Sequence, residues 1–254
     1  MALLDVKNLT KNFGGLTAVG DVTMELNAGE LVGLIGPNGA GKTTLFNLLT
    51  GVYDPSEGSV TLDGTLLNGK TPYKIASLGL SRTFQNIRLF KNMTVLDNVL
   101  VGMGNQHRSH IFASMLRLPK FYKREEALRE EALKLLEIFN LEGDADTLAN
   151  NLPYGQQRRL EIVRALATEP KILFLDEPAA GMNPQETAEL TQLIRQIKNQ
   201  FNITIMLIEH DMSLVMEVTE RIYVLEYGRL IAHGTPDEIK NNKRVIEAYL
   251  GGEA

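Results

Sequence analysis

A glycine-rich stretch containing one lysine is the part of the sequence best suited to bind phosphate. It reads Gly-Pro-Asn-Gly-Ala-Gly-Lys-Thr-Thr and fits the spacing G-x-x-x-x-G-K-[ST]. Glycines let successive N–H groups turn toward an anion, and a helix N-terminus behind the loop adds its dipole. Lys42 would contact the β- and γ-phosphates, and the Thr43 hydroxyl would bind Mg²⁺. The stretch predicts a nucleoside triphosphate site formed by Gly36, Pro37, Asn38, Gly39, Ala40, Gly41, Lys42, Thr43 and Thr44.

Two acids and a histidine follow apolar runs further along the chain. Asp176 and Glu177 come directly after Ile172–Leu175, and His210 lies just past Ile203–Ile208. Asp176 suits a Mg²⁺ shell, and Glu177 suits a general base that polarises an attacking water. A lone histidine at a strand end is more often structural than catalytic. Two such strands in one nucleotide-binding sheet would, however, bring His210 near the same phosphate.

Spacing alone does not give two other residues, Phe13 and Gln85, a single interpretation. Phe13 stands alone in a polar turn, Lys11–Gly15, where its ring suits either stacking on an adenine or a satellite core contact. Gln85 ends the short extended stretch Ser81–Gln85, and a glutamine there is usually a solvated polar group.

The pattern of apolar residues predicts a parallel sheet that would position these side chains. Leu31–Ile35 and Ile172–Leu175 are apolar runs, and Ile203–Ile208 is apolar except at Thr204; such segments are typical of strands buried on both faces. Open α/β sheets bind ligands at the carboxyl ends of such strands. The acids, the histidine and the glycine-rich loop all follow these runs directly.

Other elements are predicted around that sheet. Alternation in Leu3–Leu9 and Leu16–Leu26 predicts an antiparallel β layer. Helical spacing between Val95 and Leu141, broken at Arg117–Pro119, predicts a helical lobe. Further predicted elements are hairpins in Ser59–Leu67 and Arg221–Ala232, a helix over Gln185–Gln200, and a helix that begins with a capping box at Thr235–Glu238.

Length and composition restrict the class of protein. The 254 residues suit one large α/β domain or a core with a smaller helical lobe. A net charge of −5 argues against nucleic acid as the main partner. The sequence contains no cysteine, which excludes disulfides, cysteine nucleophiles and thiolate metal sites. The first residues do not suit a signal peptide, and no apolar run approaches the roughly 18 residues of a membrane span.

Together these motifs resemble the ATP-binding cassette (ABC) ATPases, in their order and over nearly the whole chain. The resemblance implies an α/β fold, namely a P-loop NTPase core with a mostly parallel sheet, an antiparallel β layer and a helical subdomain. It implies one ABC ATPase domain over residues 1–254, with a core of about 1–90 and 160–235, a helical subdomain of about 91–159, and C-terminal helices at about 236–250. The motifs that carry it are Gly36–Thr44, Gln85, Leu152–Gln156, Ile172–Glu177, Ala180–Asn183 and His210.

The resemblance also implies roles for single residues. Phe13 would stack on adenine, and Gln85 would sense the γ-phosphate and Mg²⁺, with Thr43 and Asp176 as the other metal ligands. His210 would bind the γ-phosphate and orient the water together with Glu177. A signature segment would close on ATP held by the opposite subunit, and its candidate residues are Pro153, Tyr154, Gly155 and Gln156.

Two departures from the family pattern lie on the face that would meet that partner subunit. Pro153 replaces the usual serine of the signature, with Tyr154 where glycine is common. Asn183 replaces the usual aspartate of the turn that follows the paired acids. These departures bear on hydrolysis across the dimer and leave the prediction of ATP binding unchanged.

The sequence is also similar to a narrower group, the ATP-binding subunits of bacterial branched-chain amino acid importers. This similarity implies a motor subunit that binds ATP and Mg²⁺, pairs with itself or with a second cassette, and docks beneath separate membrane permease subunits. A periplasmic solute-binding protein would be an indirect partner, and the site of action would be the cytoplasmic face of the inner membrane. The segments that carry the similarity are Arg82–Phe90, an insertion near Ile111–Pro119, Tyr154–Ile162, Glu177–Gly181 and Ile246–Gly251.

Similarity to the branched-chain importer subunits implies a docking groove beside Gln85–Phe90. Leu89 and Phe90 form an apolar pair there, and the alternative interpretation is that they belong to the local core.

Relatives that transport urea, other amides or lipopolysaccharide share much of the pattern. A soluble cassette ATPase acting on DNA or ribosomes would need a long insertion, zinc-binding cysteines or a second cassette. A module that holds ATP without hydrolysing it is disfavoured because Glu177, Gln85 and His210 are all present.

Overall fold

The computed structural model describes residues 2–104 and 119–250. The chain divides into two compact units, the first formed by Met1–Arg82 with Lys171–Ala254 and the second by Thr83–Pro170. The strands of the described residues are β1 (Leu4–Phe13), β2 (Leu16–Leu26), β3 (Leu31–Ile35), β4 (Glu57–Leu62), β5 (Thr65–Leu66), β6 (Leu80–Arg82), β7 (Ile172–Asp176), β8 (Thr204–Ile208), β9 (Arg221–Glu226) and β10 (Arg229–Gly234). The helices are α1 (Lys42–Leu49), α2 (Pro72–Ser77), α3 (Val95–Met103), α4 (Pro119–Ile138), α5 (Tyr154–Leu166), α6 (Pro184–Phe201), α7 (Met212–Val218), α8 (Pro236–Lys240) and α9 (Lys243–Leu250).

A mostly parallel sheet in the first unit positions the candidate site. Its strand order is β10-β9-β3-β8-β7-β6, with only β10 antiparallel to its neighbour. Every residue of β3, β7 and β8 is buried, which accounts for their mostly apolar sequence; the exceptions are Asp176 at the end of β7 and Thr204 at the start of β8. Ile208 of β8 pairs with Leu34 of β3 on one side and with Asp176 of β7 on the other. The carboxyl ends of these three strands therefore lie together at one edge of the sheet.

The predicted antiparallel layer is present as a four-stranded sheet of order β2-β1-β4-β5. One detail of the prediction was wrong, because Lys11–Phe13 belongs to β1 and not to the turn. Phe13 pairs with Leu16, so that only Gly14 and Gly15 connect the two strands. Gly14 has a positive φ of 58°, the conformation that two-residue hairpin connections favour.

Most of the smaller elements agree with the sequence patterns. The helix over Gln185–Gln200 is part of α6, the hairpin Arg221–Ala232 is β9 with β10, and the capping box at Thr235 begins α8. The helix α2 was not predicted. It buries only Ile75 among six residues, which is too short a segment for a helical period to be visible.

The second unit is helical. α3 begins after Thr94, whose hydroxyl accepts a hydrogen bond from the N–H of Asp97. Gly102 on α3 lies against the backbone of α5, and a β-carbon at this position would come within 2.6 Å of the Arg164 carbonyl oxygen. The glycine thus allows a close approach of these two helices. No helix among residues 2–104 and 119–250 combines the length and hydropathy that crossing a bilayer requires.

Two sequence predictions fall on residues that the structure does not describe. The helical insertion near Ile111–Pro119 and the break at Arg117–Pro119 lie outside the described residues, except for Pro119, where α4 begins.

The subdomain boundaries predicted near residues 90 and 160 both fall inside the second unit. The second of them would cut α5, whose buried Arg158 and Glu161 bind the backbone of the segment that follows β6.

Candidate functional site

The glycine-rich loop connects the end of β3 to the start of α1. Gly36 has a φ of 153°, and a β-carbon there would lie 2.1 Å from the Leu225 carbonyl oxygen. Gly41 has a φ of 98° and is the N-cap residue of α1, without a side-chain hydrogen bond to the helix. Any larger residue at Gly36 would therefore collide with β9, and the first N–H groups of α1 are capped by no side chain. A helix start of this kind attracts an anion.

Lys42 is the charged residue of this loop and is buried. Its ammonium donates hydrogen bonds to the carbonyl oxygens of Gly36, at 2.6 Å, and Pro37, at 3.0 Å. Burial lowers the pKa of the Lys42 ammonium, while the nearby carboxylates of Glu177 and Asp176 act to raise it. The lysine ammonium is thus held inside the loop by two backbone carbonyl oxygens.

Asp176 ends β7 as a buried carboxylate with a fixed partner. Arg82 on β6 donates to its Oδ2 at 2.6 Å, and both side chains are almost fully buried. The same guanidinium donates to Asn47 Oδ1 at 2.7 Å, and it lies 5.5 Å from the centre of the Phe46 ring. The sequence did not identify this pairing, because the two residues are 94 positions apart and only β6–β7 pairing brings them together.

Glu177 and His210 form a direct pair in front of the loop. His210 Nε2 lies 2.7 Å from Glu177 Oε1, a hydrogen bond in which the donor depends on the histidine tautomer. The Glu177 N–H donates to the Ile208 carbonyl at 2.9 Å, and its φ of 48° lies in the left-handed region. β7 and β8 are adjacent strands, so the residues after them meet at the sheet edge.

These groups surround one cavity of about 240 Å³ in the first unit. The lysine provides a positive charge at its base, and the Glu177–His210 pair provides a carboxylate and an imidazole at its side. Such a combination is chemically suited to binding a polyanion and to positioning a water molecule for attack on it. The cavity is lined by Asn38, Gly39, Ala40, Gly41, Lys42, Thr43, Thr44, Glu177 and His210.

Oxygen donors suited to Mg²⁺ lie at the same edge. Thr43 offers a hydroxyl at the start of α1, and Asp176 offers a carboxylate at the end of β7. Because Arg82 already binds Asp176 Oδ2, this carboxylate fits a hydrated metal ion better than a bare one. Within the described residues no cluster of three or more acidic or histidine side chains forms a closed metal site.

Phe13 lies in a small aromatic cluster of the antiparallel sheet. Its ring is 44% exposed and meets the Tyr53 ring edge to face, with centroids 5.4 Å apart. The Lys11 ammonium lies 5.2 Å from the Phe13 centroid and donates to the Asp54 carbonyl. Phe13 is therefore not part of the buried core, and its partner Tyr53 was not recognised from the sequence.

The remaining candidate residues belong to the second unit. Gln85 is exposed, and its carbonyl oxygen accepts a hydrogen bond from Arg158. Arg158 also donates to the Phe84 carbonyl at 2.7 Å, and Glu161 accepts from the Arg88 N–H at 3.1 Å. Burial raises the pKa of the Glu161 carboxyl, whereas Arg88 and Arg158 lower it. This buried pair on α5 fixes the backbone around Gln85.

The signature segment forms the start of α5. Pro153 is its N-cap residue, with φ −54° and ψ 154° and no side-chain cap. Tyr154 is 46% exposed, whereas Gly155 is buried. Gln156 donates from its side chain to Asp144 at 3.2 Å. The segment thus presents the N-terminus of a helix with a partly exposed tyrosine.

Asn183 has a structural role that explains how it can replace aspartate. It is the N-cap residue of α6 and accepts a hydrogen bond from the Glu186 N–H at 3.0 Å. Glu186 completes a capping box by accepting from the Asn183 N–H at 2.9 Å. Asparagine and aspartate are similarly effective N-cap residues, so the helix start tolerates either.

Two protein-family profiles match parts of the chain. The profile of the ABC transporter family matches residues 19–180, and that of the branched-chain amino acid ATP-binding cassette transporters matches residues 229–254. The high-affinity branched-chain amino acid transport ATP-binding protein LivG of Salmonella typhimurium is 51% identical over 98% of both chains. Its counterpart BraF of Pseudomonas aeruginosa is 48% identical over the same share.

Solved structures resemble the chain over almost its full length. A nucleotide-free ATP-binding cassette from an ABC transporter has a TM-score of 0.84 and 36% identity, covering 99% of this chain and 100% of that one. A dimeric ATP-binding cassette in a post-hydrolysis state with ADP and phosphate has a TM-score of 0.77 and 26% identity. The match covers 92% of this chain and 98% of that one.

Proposed function

The chain belongs to the ABC transporter family and is one of its ATPase subunits, and from this premise we propose that it drives the import of branched-chain amino acids. The names of its relatives LivG and BraF support this solute class, and so does the match of residues 229–254 to the branched-chain cassette profile. Relatives that transport urea, other amides or lipopolysaccharide were the alternatives considered from the sequence.

The nucleotide is held at the carboxyl edge of the parallel sheet. The loop from Gly36 to Thr44 receives the phosphates, Lys42 moves from its carbonyl partners to the β- and γ-phosphate oxygens, and Phe13 stacks on the adenine. Thr43, Asp176 and Gln85 are the proposed Mg²⁺ ligands. The metal ion, when bound, neutralises charge on the phosphates.

Hydrolysis is assigned to the Glu177–His210 pair. The carboxylate of Glu177 would accept a proton from the water as its oxygen bonds to the γ-phosphorus, and the bond from that phosphorus to the bridging oxygen would break to release ADP. His210 would hold the carboxylate in place with its ring facing the γ-phosphate. The observation that carries this assignment is the 2.7 Å contact between His210 Nε2 and Glu177 Oε1 beside the cavity. Gln85 would complete the site by sensing the γ-phosphate.

A second cassette completes the site from the other side. Pro153, Tyr154, Gly155 and Gln156 would cover the ATP of a partner subunit, and the partner's signature would cover the ATP held here. The dimeric form of a similar cassette with ADP and phosphate supports this arrangement. Permease subunits in the inner membrane are the proposed docking partners on its cytoplasmic face, with a periplasmic solute-binding protein acting on them indirectly.

The variant Glu177→Gln tests the assignment of the base. We expect ATP affinity to stay within about threefold of the wild type while turnover falls about 100- to 10,000-fold, the usual range for loss of a general base. Gel filtration with ATP and Mg²⁺ should then show an accumulated dimer. The control is Glu137→Gln, which alters an exposed glutamate on α4. An unchanged turnover in Glu177→Gln would remove this residue from the role of base.

Transport itself is tested in proteoliposomes. The chain is co-purified with its native membrane subunits, and uptake of leucine, isoleucine and valine is measured with ATP on the cassette side. We expect uptake of these three solutes and its loss in Glu177→Gln. If urea or another amide is taken up instead, the proposed solute class is wrong, whereas the assignment as a transport ATPase stands.

A further inference from the structure

A buried carboxylate that the proposed mechanism does not use lies between the two catalytic loops. Glu209 follows β8 directly and is only 4% exposed. Burial raises the pKa of its carboxyl group, and hydrogen bonds from backbone N–H groups act in the opposite direction. Within residues 2–104 and 119–250 its oxygens are held by the main chain and by no cationic side chain. A buried group of this kind has a specific reason to be present.

The two oxygens of Glu209 bind two different loops. Oε1 accepts a hydrogen bond from the Ala179 N–H at 2.7 Å, and Ala179 lies two residues beyond Glu177. Oε2 accepts from the N–H of His210 at 3.0 Å. We propose that Glu209 is a positioning residue, which joins the loop carrying Glu177 to the loop carrying His210 and thereby sets the geometry of that pair. The proposal rests on the catalytic role assigned to the pair above.

The loop that carries Glu177 is strained, so a second contact that holds it has a physical reason. Glu177 adopts a positive φ of 48°, which is unfavourable for a residue with a side chain. The main chain joins the two loops at the sheet edge, where the Glu177 N–H donates to the Ile208 carbonyl. Further from the sheet, the Glu209 carboxylate binds the N–H groups of Ala179 and His210. Removing its side chain should loosen the pair without opening the sheet.

The chemistry of a carboxylate suits both contacts at once. Each oxygen accepts an N–H, so an amide at this position would turn its NH₂ group toward one donor and lose that bond. Aspartate is shorter by one methylene and cannot reach both loops from the same backbone position. Alanine loses both bonds. The three variants Glu209→Gln, Glu209→Asp and Glu209→Ala therefore form a graded series.

Kinetics separate a positioning role from a general loss of stability. For Glu209→Ala we expect kcat to fall about 10- to 100-fold, since a displacement of about 1 Å in a catalytic group can cost that much. The Kd for ATP should stay within about twofold, because the phosphate loop is not changed. Glu209→Gln should recover part of the lost kcat. The control is Glu30→Gln, which alters a carboxylate just before β3 that accepts the Asn27 N–H and also pairs with Arg221.

Nuclear magnetic resonance of ¹⁵N-labelled histidine reports the environment of the His210 ring, and hence the geometry of the Glu177–His210 pair, without requiring ATP hydrolysis. The His210 ring signals, assigned by their loss in His210→Gln, should shift in Glu209→Ala and stay unchanged in Glu30→Gln. Unshifted signals, or a fall in kcat matched by a rise in Kd, would overturn the proposal. If Glu209→Ala does not fold, the Gln and Asp variants give the same test. A wild-type chain without ATPase activity would reject the catalytic role of the pair, while the ring signals would still decide whether Glu209 sets its geometry.

Discussion

The phosphate edge of the first unit and the signature end of α5 in the second unit are built in opposite ways. The phosphate edge, where β3, β7 and β8 end, collects Lys42, Glu177 and His210 around one cavity, and Asp176 ends β7 at the same edge. The signature segment, Leu152–Gln156, contains no carboxylate, lysine or histidine and presents a helix terminus instead. The first region holds the groups for the chemistry of hydrolysis. The second has only a helix terminus and polar or aromatic side chains to offer a ligand.

The two units also differ in how their buried charges are balanced. At the phosphate edge Lys42 is held by carbonyl oxygens that a nucleotide can replace. In the second unit the buried charges of Arg158 and Glu161 bind each other at 3.2 Å and the backbone near Gln85. The first arrangement is open to a ligand and the second is closed. Variants at the two regions should therefore affect different steps.

Lys42→Ala should have the largest effect and tests the first region. Loss of the ammonium removes charge-assisted hydrogen bonds to phosphate that contribute roughly 1.5–3 kcal/mol each. With two such bonds, ATP affinity should fall about 100-fold or more. Isothermal titration with ATP measures it. Lys74→Ala, at an exposed position on α2, is the control.

A Lys42→Ala chain that binds ATP within threefold of the wild type would contradict the comparison. The phosphate edge would then hold nucleotide by its backbone alone, as the signature helix is proposed to do.

Pro153→Ser should have the next largest effect and sharpens the role of the second region. Serine would add a hydroxyl that can donate to the γ-phosphate of the partner's ATP, a bond of roughly 1.5–3 kcal/mol. Each 1.36 kcal/mol is about tenfold in rate, so that site should become about 10- to 100-fold faster. Single-turnover hydrolysis in a heterodimer measures it, with Glu177→Gln silencing the ATP held by this chain.

The control for this experiment is Pro153→Ala, which removes the ring without adding a hydroxyl. Serine and alanine variants of equal rate would show that the hydroxyl contributes nothing. Closure of the dimer should survive in all three forms, because the first N–H groups of α5 belong to Gly155 and its neighbours whatever residue caps the helix.

Phe90→Ser should have the smallest effect on ATP hydrolysis in solution. The Phe90 ring is 47% exposed, while its backbone N–H and C=O are both bound by the buried Asn98 side chain. Surface substitutions usually change stability by less than about 0.5 kcal/mol, so soluble turnover and melting temperature should hardly move. Coupled uptake in proteoliposomes should fall strongly, because the ring would contact a permease helix.

The control for Phe90→Ser is Val101→Ser, at another exposed apolar position of the second unit. A melting temperature that falls in proportion to uptake would show that Phe90 is local core and would contradict the docking role. Leu89, its half-buried neighbour, is less suitable for this test because its substitution also removes buried surface.

Local patterns in the sequence determined much of the fold and part of the site. Glycines and a lysine at fixed spacing predicted the loop, and apolar runs predicted β3, β7 and β8, because these signals depend on neighbouring residues only. Short elements such as α2 escaped because six residues do not show a period.

Only the tertiary structure decided which side chains meet. The contacts of Arg82 with Asp176 and of His210 with Glu177 join residues that are 94 and 33 positions apart. Glu209 gained its place between two loops for the same reason. These pairs depend on the strand order, in which β8 lies between β3 and β7 and β6 lies beside β7. The identity of a strand's neighbours is a long-range property, because apolar runs of similar length and composition can pair with one another in several orders.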